Sequence, residues 1–266
     1  MENKLKQIIS EELGILSEIA EESERVFDKI ILNLQKVIST KTDICYIKTG
    51  NVKAQLNNIS FNVTYTYRNF FDKTIVETIG EDNLSEGGSA YLNDKFIMCN
   101  INLFGINGII NKQLALSTIQ HELEHIYQQM RSKKRIPSDD MRYAKMRNDM
   151  ESSDIIRQRI GRIVYMCYKS EQEGFINGTY AWCMADDYQT KPFTYHTILN
   201  SPAGKLLTDF KKLLFEVQEN KQIQDILKKE YNLTIDRITN AYAQLSRRLG
   251  RVLIKVNNDK SKFWRL

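Results

Sequence analysis

The stretch LALSTIQHELEHIYQQM, residues 114–130, combines an amphipathic helical repeat with the pattern H-E-x-x-H. Its apolar residues recur at intervals of three and four, which is the spacing of one face of an α-helix. They are Leu116, Ile119, Leu123, Ile126 and Met130. We expect this face to pack into a core. His121 and His125 are four residues apart, so they lie one above the other on an adjoining face.

Two histidines in this arrangement predict a zinc site. Their imidazole nitrogens can bind one Zn²⁺ at about 2.0–2.1 Å. Glu122 points too far round the helix to be an easy ligand, but its carboxylate can reach a zinc-activated water and take its proton as general base. The pattern therefore predicts zinc-dependent peptide-bond hydrolysis with His121 and His125 as metal ligands. The alternative is a surface helix whose two histidines bind no metal.

The residues before this helix predict a sheet. ISFNVTYTYRNF, residues 59–70, alternates apolar and polar side chains, which is typical of a half-buried strand in an antiparallel sheet. KFIMCNINLF, residues 95–104, predicts another strand. We expect it to be an edge strand beside the zinc helix, where it could hold an extended peptide by main-chain pairing. Residues 3–39 carry apolar residues at helical spacing and predict an N-terminal helix.

Helical patterns dominate the rest of the chain. The expected helices cover residues 111–132, 141–169, 171–185, 203–230 and 234–256. The sequence therefore predicts an α+β fold. Residues 1–110 would form a small antiparallel sheet with the N-terminal helix, and residues 111–266 a mainly α-helical part that carries the zinc site. We expect the two parts to pack as one unit.

Composition limits the classes of protein that fit. The chain has 266 residues, of which 42% are hydrophobic and 27% charged, as in soluble globular proteins. No apolar run approaches the roughly 20 residues that span a bilayer, and the N-terminus has no apolar signal core. We therefore expect a cytoplasmic protein without a membrane partner. A net charge of +5 is too small to predict nucleic-acid binding alone.

The third zinc ligand lies outside the H-E-x-x-H pattern. A catalytic zinc ion has three protein ligands and one open position. Gln128 and Arg131 stand where metzincin proteases carry a glycine and a third histidine, so that family is excluded. The remaining histidine, His196, lies far along the chain. These observations favour a carboxylate from a following helix.

H-E-x-x-H followed by a glutamate on a second helix resembles the gluzincin group of zinc metallopeptidases. The segment YMCYKSEQEGFINGTYAW, residues 165–182, is similar to the E-x-x-A-(F/Y) helices of small predicted metallopeptidases, many of them phage-encoded. The resemblance covers roughly residues 95–182. It implies a zincin-like fold, one zinc ion per chain and Glu171 as the third ligand, with Gly174 in the small position and Phe175 after it. A phage-encoded protein would lie in the host cytoplasm or the virion.

Other residues stay open as the third ligand. Many gluzincins carry Asp or Asn four residues after the glutamate ligand, where it supports one of the zinc histidines. Glu173 is therefore an alternative to Glu171, because Asn177 follows it at this spacing. Asp186 and Asp187 are further alternatives. The chain also departs from many zincins at Glu124, which puts a charge inside the motif; we expect this side chain to face solvent.

Several downstream residues predict supporting roles or rival functions. An oxyanion formed during hydrolysis could be stabilised by Tyr180, Tyr195 or His196. A basic cluster lies on the last helix, at Arg247, Arg248, Arg251 and Lys255. It leaves a nucleic-acid-binding regulator as one rival to a peptidase that acts on a protein or peptide substrate. The other rival is a structural or virion-associated protein that keeps the zincin fold without catalysis.

Overall fold

The computed structural model describes two compact units of the chain. The described residues are 18–35, 45–70, 87–92, 97–132, 141–186 and 191–261. The first unit is Met1–Arg131 with Tyr180–Ala185, and the second is Ser132–Thr179 with Asp186–Leu266. No helix within the described ranges is long and apolar enough to cross a membrane.

In its described residues the first unit contains a sheet, two helices and the end of a third helix that begins in the second unit. Its elements are α1 (18–35), β1 (Cys45–Leu56), β2 (Ile59–Phe70), β3 (Gly87–Leu92), β4 (Ile97–Ile106), β5 (Ile109–Ile110) and α2 (Lys112–Ser132). The strand order is β1-β2-β4-β3, with β5 also paired to β4. The α+β class is therefore confirmed for this part of the chain, and α2 belongs to the same unit as the sheet.

Two expectations about the sheet are wrong. The sheet is mixed and not antiparallel, because β2 and β4 pair in parallel while β1–β2 and β3–β4 are antiparallel. In addition, β4 lies between β2 and β3, so it is not an edge strand. The outer strand of the described sheet on this side is β3. The alternation of side chains specifies which face of a strand is buried but not the direction of its partner, so both points lay beyond the sequence pattern.

The faces expected from the alternation are confirmed. Phe61, Val63, Tyr65 and Tyr67 are buried in one core, whereas Ile59, next to the β1–β2 turn, is 46% exposed. The apolar face of α2 enters the same core as expected. Its residues Leu116, Ile119, Leu123 and Ile126 are at most 1% exposed, and Met130 packs against them.

The second unit is helical. Its helices are α3 (Met141–Met150), α4 (Ile155–Cys167), α5 (Lys169–Met184), α6 (Tyr195–Ile198), α7 (Pro202–Glu219), α8 (Lys221–Tyr231) and α9 (Ile235–Lys260). Residues 180–184 of α5 belong to the first unit.

The single helices expected over residues 141–169 and 203–230 are each divided in two. In both cases a polar side chain begins a new helix by accepting a hydrogen bond from a free backbone N–H. Asp154 Oδ1 accepts from Ile156 N at 2.8 Å to begin α4, and Asn220 Oδ1 accepts from Ile223 N at 3.1 Å to begin α8.

A network of charged side chains ties α3, α4 and α8 together. Both terminal nitrogens of Arg157 donate to the Glu230 carboxylate, at 2.7 and 3.2 Å, and Lys145 Nζ lies 2.5 Å from the same carboxylate. Tyr231 donates its hydroxyl to Asp149 Oδ2 at 2.5 Å. Hydrogen bonds from Arg157 and Lys145 lower the pKa of Glu230 to about 2. The network therefore fixes α3 to its neighbours through ionised groups.

We expect Glu230→Gln to lower the free energy of unfolding by about 2 kcal/mol at pH 7, since the ionised carboxylate is stabilised in the folded state. A depressed pKa contributes stability above the unfolded value, about 4.3, and that contribution is lost as the pH falls towards 2. Urea unfolding should therefore show the wild type and the variant converging as the pH falls from about 5 to about 2. Asp209→Asn, in an exposed pair with Lys212, is the control and should change stability by less than about 0.5 kcal/mol. If Glu230→Gln were less stable than the wild type by the same amount at pH 7 and at pH 3, this account would be contradicted.

Candidate metal centre

The two histidines of the H-E-x-x-H pattern direct the same ring nitrogen to one place. His121 and His125 are half-buried on α2, and their Nε2 atoms lie 3.0 Å apart. The rings are nearly perpendicular, at 85°. Two nitrogens bound to one tetrahedral zinc ion at about 2.0–2.1 Å would be about 3.3 Å apart. The observed spacing of the pair therefore fits shared coordination.

A buried carboxylate completes the group. Glu171 lies in the first turn of α5, where the positive end of the helix dipole favours a negative charge, and it is 5% exposed. The ligand-type atoms of His121, His125 and Glu171 all lie within 4.8 Å of one another. Among the described residues, these three form the one group of histidine, cysteine or acidic side chains that could hold a metal ion. Two imidazoles and one carboxylate match the ligand set of catalytic zinc sites.

The competing carboxylates are engaged elsewhere or lie apart. Glu173 Oε1 is 3.3 Å from Arg248 Nη2 and 3.5 Å from Lys169 Nζ, so its charge is balanced within the second unit. Asp186 is not part of the group, and Asp187 lies outside the described residues. Among the alternatives that the structure describes, only Glu171 belongs to the group with the two histidines.

The C-terminal end of α5 is anchored in the first unit. Gln113, at the start of α2, donates its Nε2 to the backbone oxygen of Trp182 at 3.3 Å. Ala181 and Ala185 are buried in the same core as the sheet and α2.

The proposed general base lies against the outer strand. Glu122 is 6% exposed, and a Cβ added to Gly88 of β3 would lie 2.5 Å from Glu122 Cγ and 2.6 Å from the backbone oxygen of Asn100. Glycine at residue 88 therefore leaves the space that the Glu122 side chain occupies. Burial raises the pKa of the Cys99 thiol well above its usual value, and the negative charge of Glu122 raises it further. Glu122 thus lies close to both β3 and β4.

Glu124 does not face solvent as expected. It is only 6% exposed, and Gln128 Nε2 donates to its Oε1 at 3.1 Å. Gln128 is four residues after Glu124 on the same face of α2, so its hydrogen bond can stabilise the second carboxylate of the motif.

The remaining candidate residues are scattered. Tyr180 is buried at 4% exposure, Tyr195 is 48% exposed and His196 is exposed at the surface of the second unit. None of them is part of the metal-type group among the described residues. They keep their oxyanion role as a prediction only.

The basic cluster on α9 is partly engaged in intramolecular contacts. Arg248 pairs with Glu173, and Lys255 Nζ lies 3.0 Å from Asp259. Arg247 donates from Nε to the backbone oxygen of Ala243 and, like Arg251, is exposed.

No family model, no curated protein and no solved structure matches this chain. The residues of the candidate centre therefore carry the functional argument.

Two residues at the centre were missed by the sequence analysis. Gly88 adjoins Glu122, and its one signal is the Gly87–Gly88 pair that opens β3. Tyr143 donates its hydroxyl to Glu171 Oε1 at 3.1 Å. With 13 tyrosines in the chain, nothing in the sequence distinguishes this one.

Proposed function

We propose that the protein is a zinc-dependent metallopeptidase of the gluzincin type, with one Zn²⁺ per chain and a protein or peptide substrate. The observation that supports this most is the grouping of His121, His125 and Glu171, on two helices, within 4.8 Å. His121 and His125 also belong to the H-E-x-x-H pattern, and Glu122 between them lies against the outer strand β3.

Each residue has a distinct task in the proposed reaction. His121, His125 and Glu171 would hold the metal, and bound zinc would supply the Lewis acid that lowers the pKa of water and polarises a carbonyl. Glu122 would accept the proton of the attacking water on its carboxylate and pass it to the leaving amine. Its burial keeps bulk water away from that proton transfer.

In the proposed reaction the substrate would bind along the outer edge of the sheet. On its outer side β3 is paired with no other strand in the described part of the chain. An extended peptide could add there as a further strand through main-chain hydrogen bonds. Gly88 lies in this strand beside Glu122, so a peptide bound along β3 would pass next to the general base.

The metal content of the purified protein tests this proposal. We expect about one zinc ion per chain in the wild type, and its loss in His121→Ala and Glu171→Gln, because each variant removes one of the three protein ligands. Glu173→Gln is the matched control, since Glu173 lies two residues away on the same helix but pairs with Arg248. Elemental analysis after dialysis against a zinc-containing buffer measures all four proteins.

The opposite result for the two glutamate variants would make Glu173 the third ligand. Retention of zinc in Glu171→Gln together with its loss in Glu173→Gln would exclude Glu171 as the ligand. A wild type that takes up no zinc, even when zinc is supplied, would contradict the metallopeptidase proposal as a whole.

A further inference from the structure

The third residue of the metal-type group receives a hydrogen bond within the second unit. Tyr143, near the start of α3, donates its hydroxyl to Glu171 Oε1 at 3.1 Å. The two residues are 28 positions apart, so the hydrogen bond joins α3 to the beginning of α5, two helices further along the chain. A phenol can donate only one hydrogen bond, and here it goes to the carboxylate.

The ring of Tyr143 is fixed by its neighbours. Tyr168, the residue directly before α5, meets it edge to face, with the ring centroids 5.4 Å apart and a 73° angle between planes. On the same helix, the guanidinium of Arg147 lies 5.8 Å from the ring centroid. Aromatic and cation–π contacts of this kind hold a ring in one orientation. The Tyr143 hydroxyl therefore approaches Glu171 from a defined direction.

The helix that carries Tyr143 is itself held in place. Lys145 and Asp149, both on α3, belong to the charged network with Glu230 and Tyr231. Tyr168 also connects the ring to α5, because the backbone N–H of Gln172 donates to the backbone oxygen of Tyr168 at 3.1 Å. The donor and the acceptor of the Tyr143–Glu171 hydrogen bond are thus both positioned by contacts that do not involve a metal.

We propose that Tyr143 is a positioning residue that orients the Glu171 carboxylate as the third zinc ligand. The inference rests on the proposed zinc site. A carboxylate without such a donor rotates about its terminal bond, whereas a hydrogen bond to one of its oxygens restricts that rotation. Hydrogen-bond partners of metal ligands orient them in this way, and their loss commonly weakens metal binding about 10–100-fold.

The test is zinc affinity, measured by competition with a chelator, in the wild type and in Tyr143→Phe. The variant keeps the ring and its contacts with Tyr168 and Arg147 but loses the hydroxyl. We expect its zinc dissociation constant to rise about 10–100-fold, while the metal-free variant stays folded and its melting temperature falls by only a few degrees, because one hydrogen bond is lost. Tyr242→Phe is the control because Tyr242 packs edge to face on Phe210 in the same unit, and it should bind zinc as tightly as the wild type.

Cobalt substitution gives a second readout that a purely structural role would not change. The visible absorption bands of bound Co²⁺ depend on how its ligands are arranged, so Tyr143→Phe loaded with Co²⁺ should show shifted bands. Unchanged zinc affinity and an unchanged Co²⁺ spectrum in Tyr143→Phe, with a wild type that binds zinc, would overturn the role of Tyr143 alone. A wild type that binds neither ion would overturn this inference together with the proposed function.

Discussion

Glu122→Gln is expected to lower the rate of peptide-bond hydrolysis by about 10²–10⁴-fold, the usual contribution of a general base. Zinc content should stay at about one ion per chain, because Glu122 is not part of the group formed by His121, His125 and Glu171. Glutamine keeps the size of the side chain but cannot accept the proton. Digestion of a mixed peptide library, followed by mass spectrometry, measures the rate without a known substrate.

The structure provides a close control for this variant. Glu124 is another buried carboxylate of the same helix, at 6% exposure, and its hydrogen bond from Gln128 can persist with glutamine at residue 124. Glu124→Gln should therefore retain both zinc and hydrolysis. Full activity of Glu122→Gln in the same assay would exclude Glu122 as the general base. If Glu122→Gln lost its zinc, the defect would lie in metal binding and not in proton transfer.

The sequence predicted those features that depend on local periodicity. Apolar residues at helical spacing in residues 114–130 and alternation in residues 59–70 each identified the buried face correctly. These patterns work because a side chain's direction follows from its own backbone, with a period of 3.6 in a helix and 2 in a strand. The relative placement of His121 and His125 follows from the same rule.

Features set by distant parts of the chain could not be predicted in this way. Parallel pairing of β2 with β4 depends on the path of the intervening chain. The ion pair of Glu173 depends on Arg248, more than 70 residues later in the chain. Likewise the hydrogen bond from the Tyr143 hydroxyl to Glu171 joins residues 28 positions apart. A single sequence contains the residues for these contacts but not the distances between them.

Gly88→Ala is expected to lower hydrolysis by about 10²-fold, the effect of a misplacement of roughly 1 Å at a catalytic group, while zinc is retained. The new Cβ would lie 2.5 Å from Glu122 Cγ and 2.6 Å from the backbone oxygen of Asn100. The contact with Asn100 requires the backbones of β3 and β4 to shift, which lowers stability, and the contact with Cγ requires the Glu122 side chain to move. Rate, zinc content and melting temperature should be measured on one preparation.

A second glycine of the same sheet separates displacement of Glu122 from general damage to the sheet. In Gly105→Ala, on β4, the new Cβ would clash with the hydroxyl of Tyr67 and not with Glu122. We expect this variant to be less stable but to keep its rate per folded, zinc-loaded molecule. If Gly88→Ala and Gly105→Ala lost activity equally, the effect would come from the sheet. If only Gly88→Ala lost activity, catalysis would require the space that glycine leaves for the Glu122 side chain. Glu122 could then act as general base only from its present position.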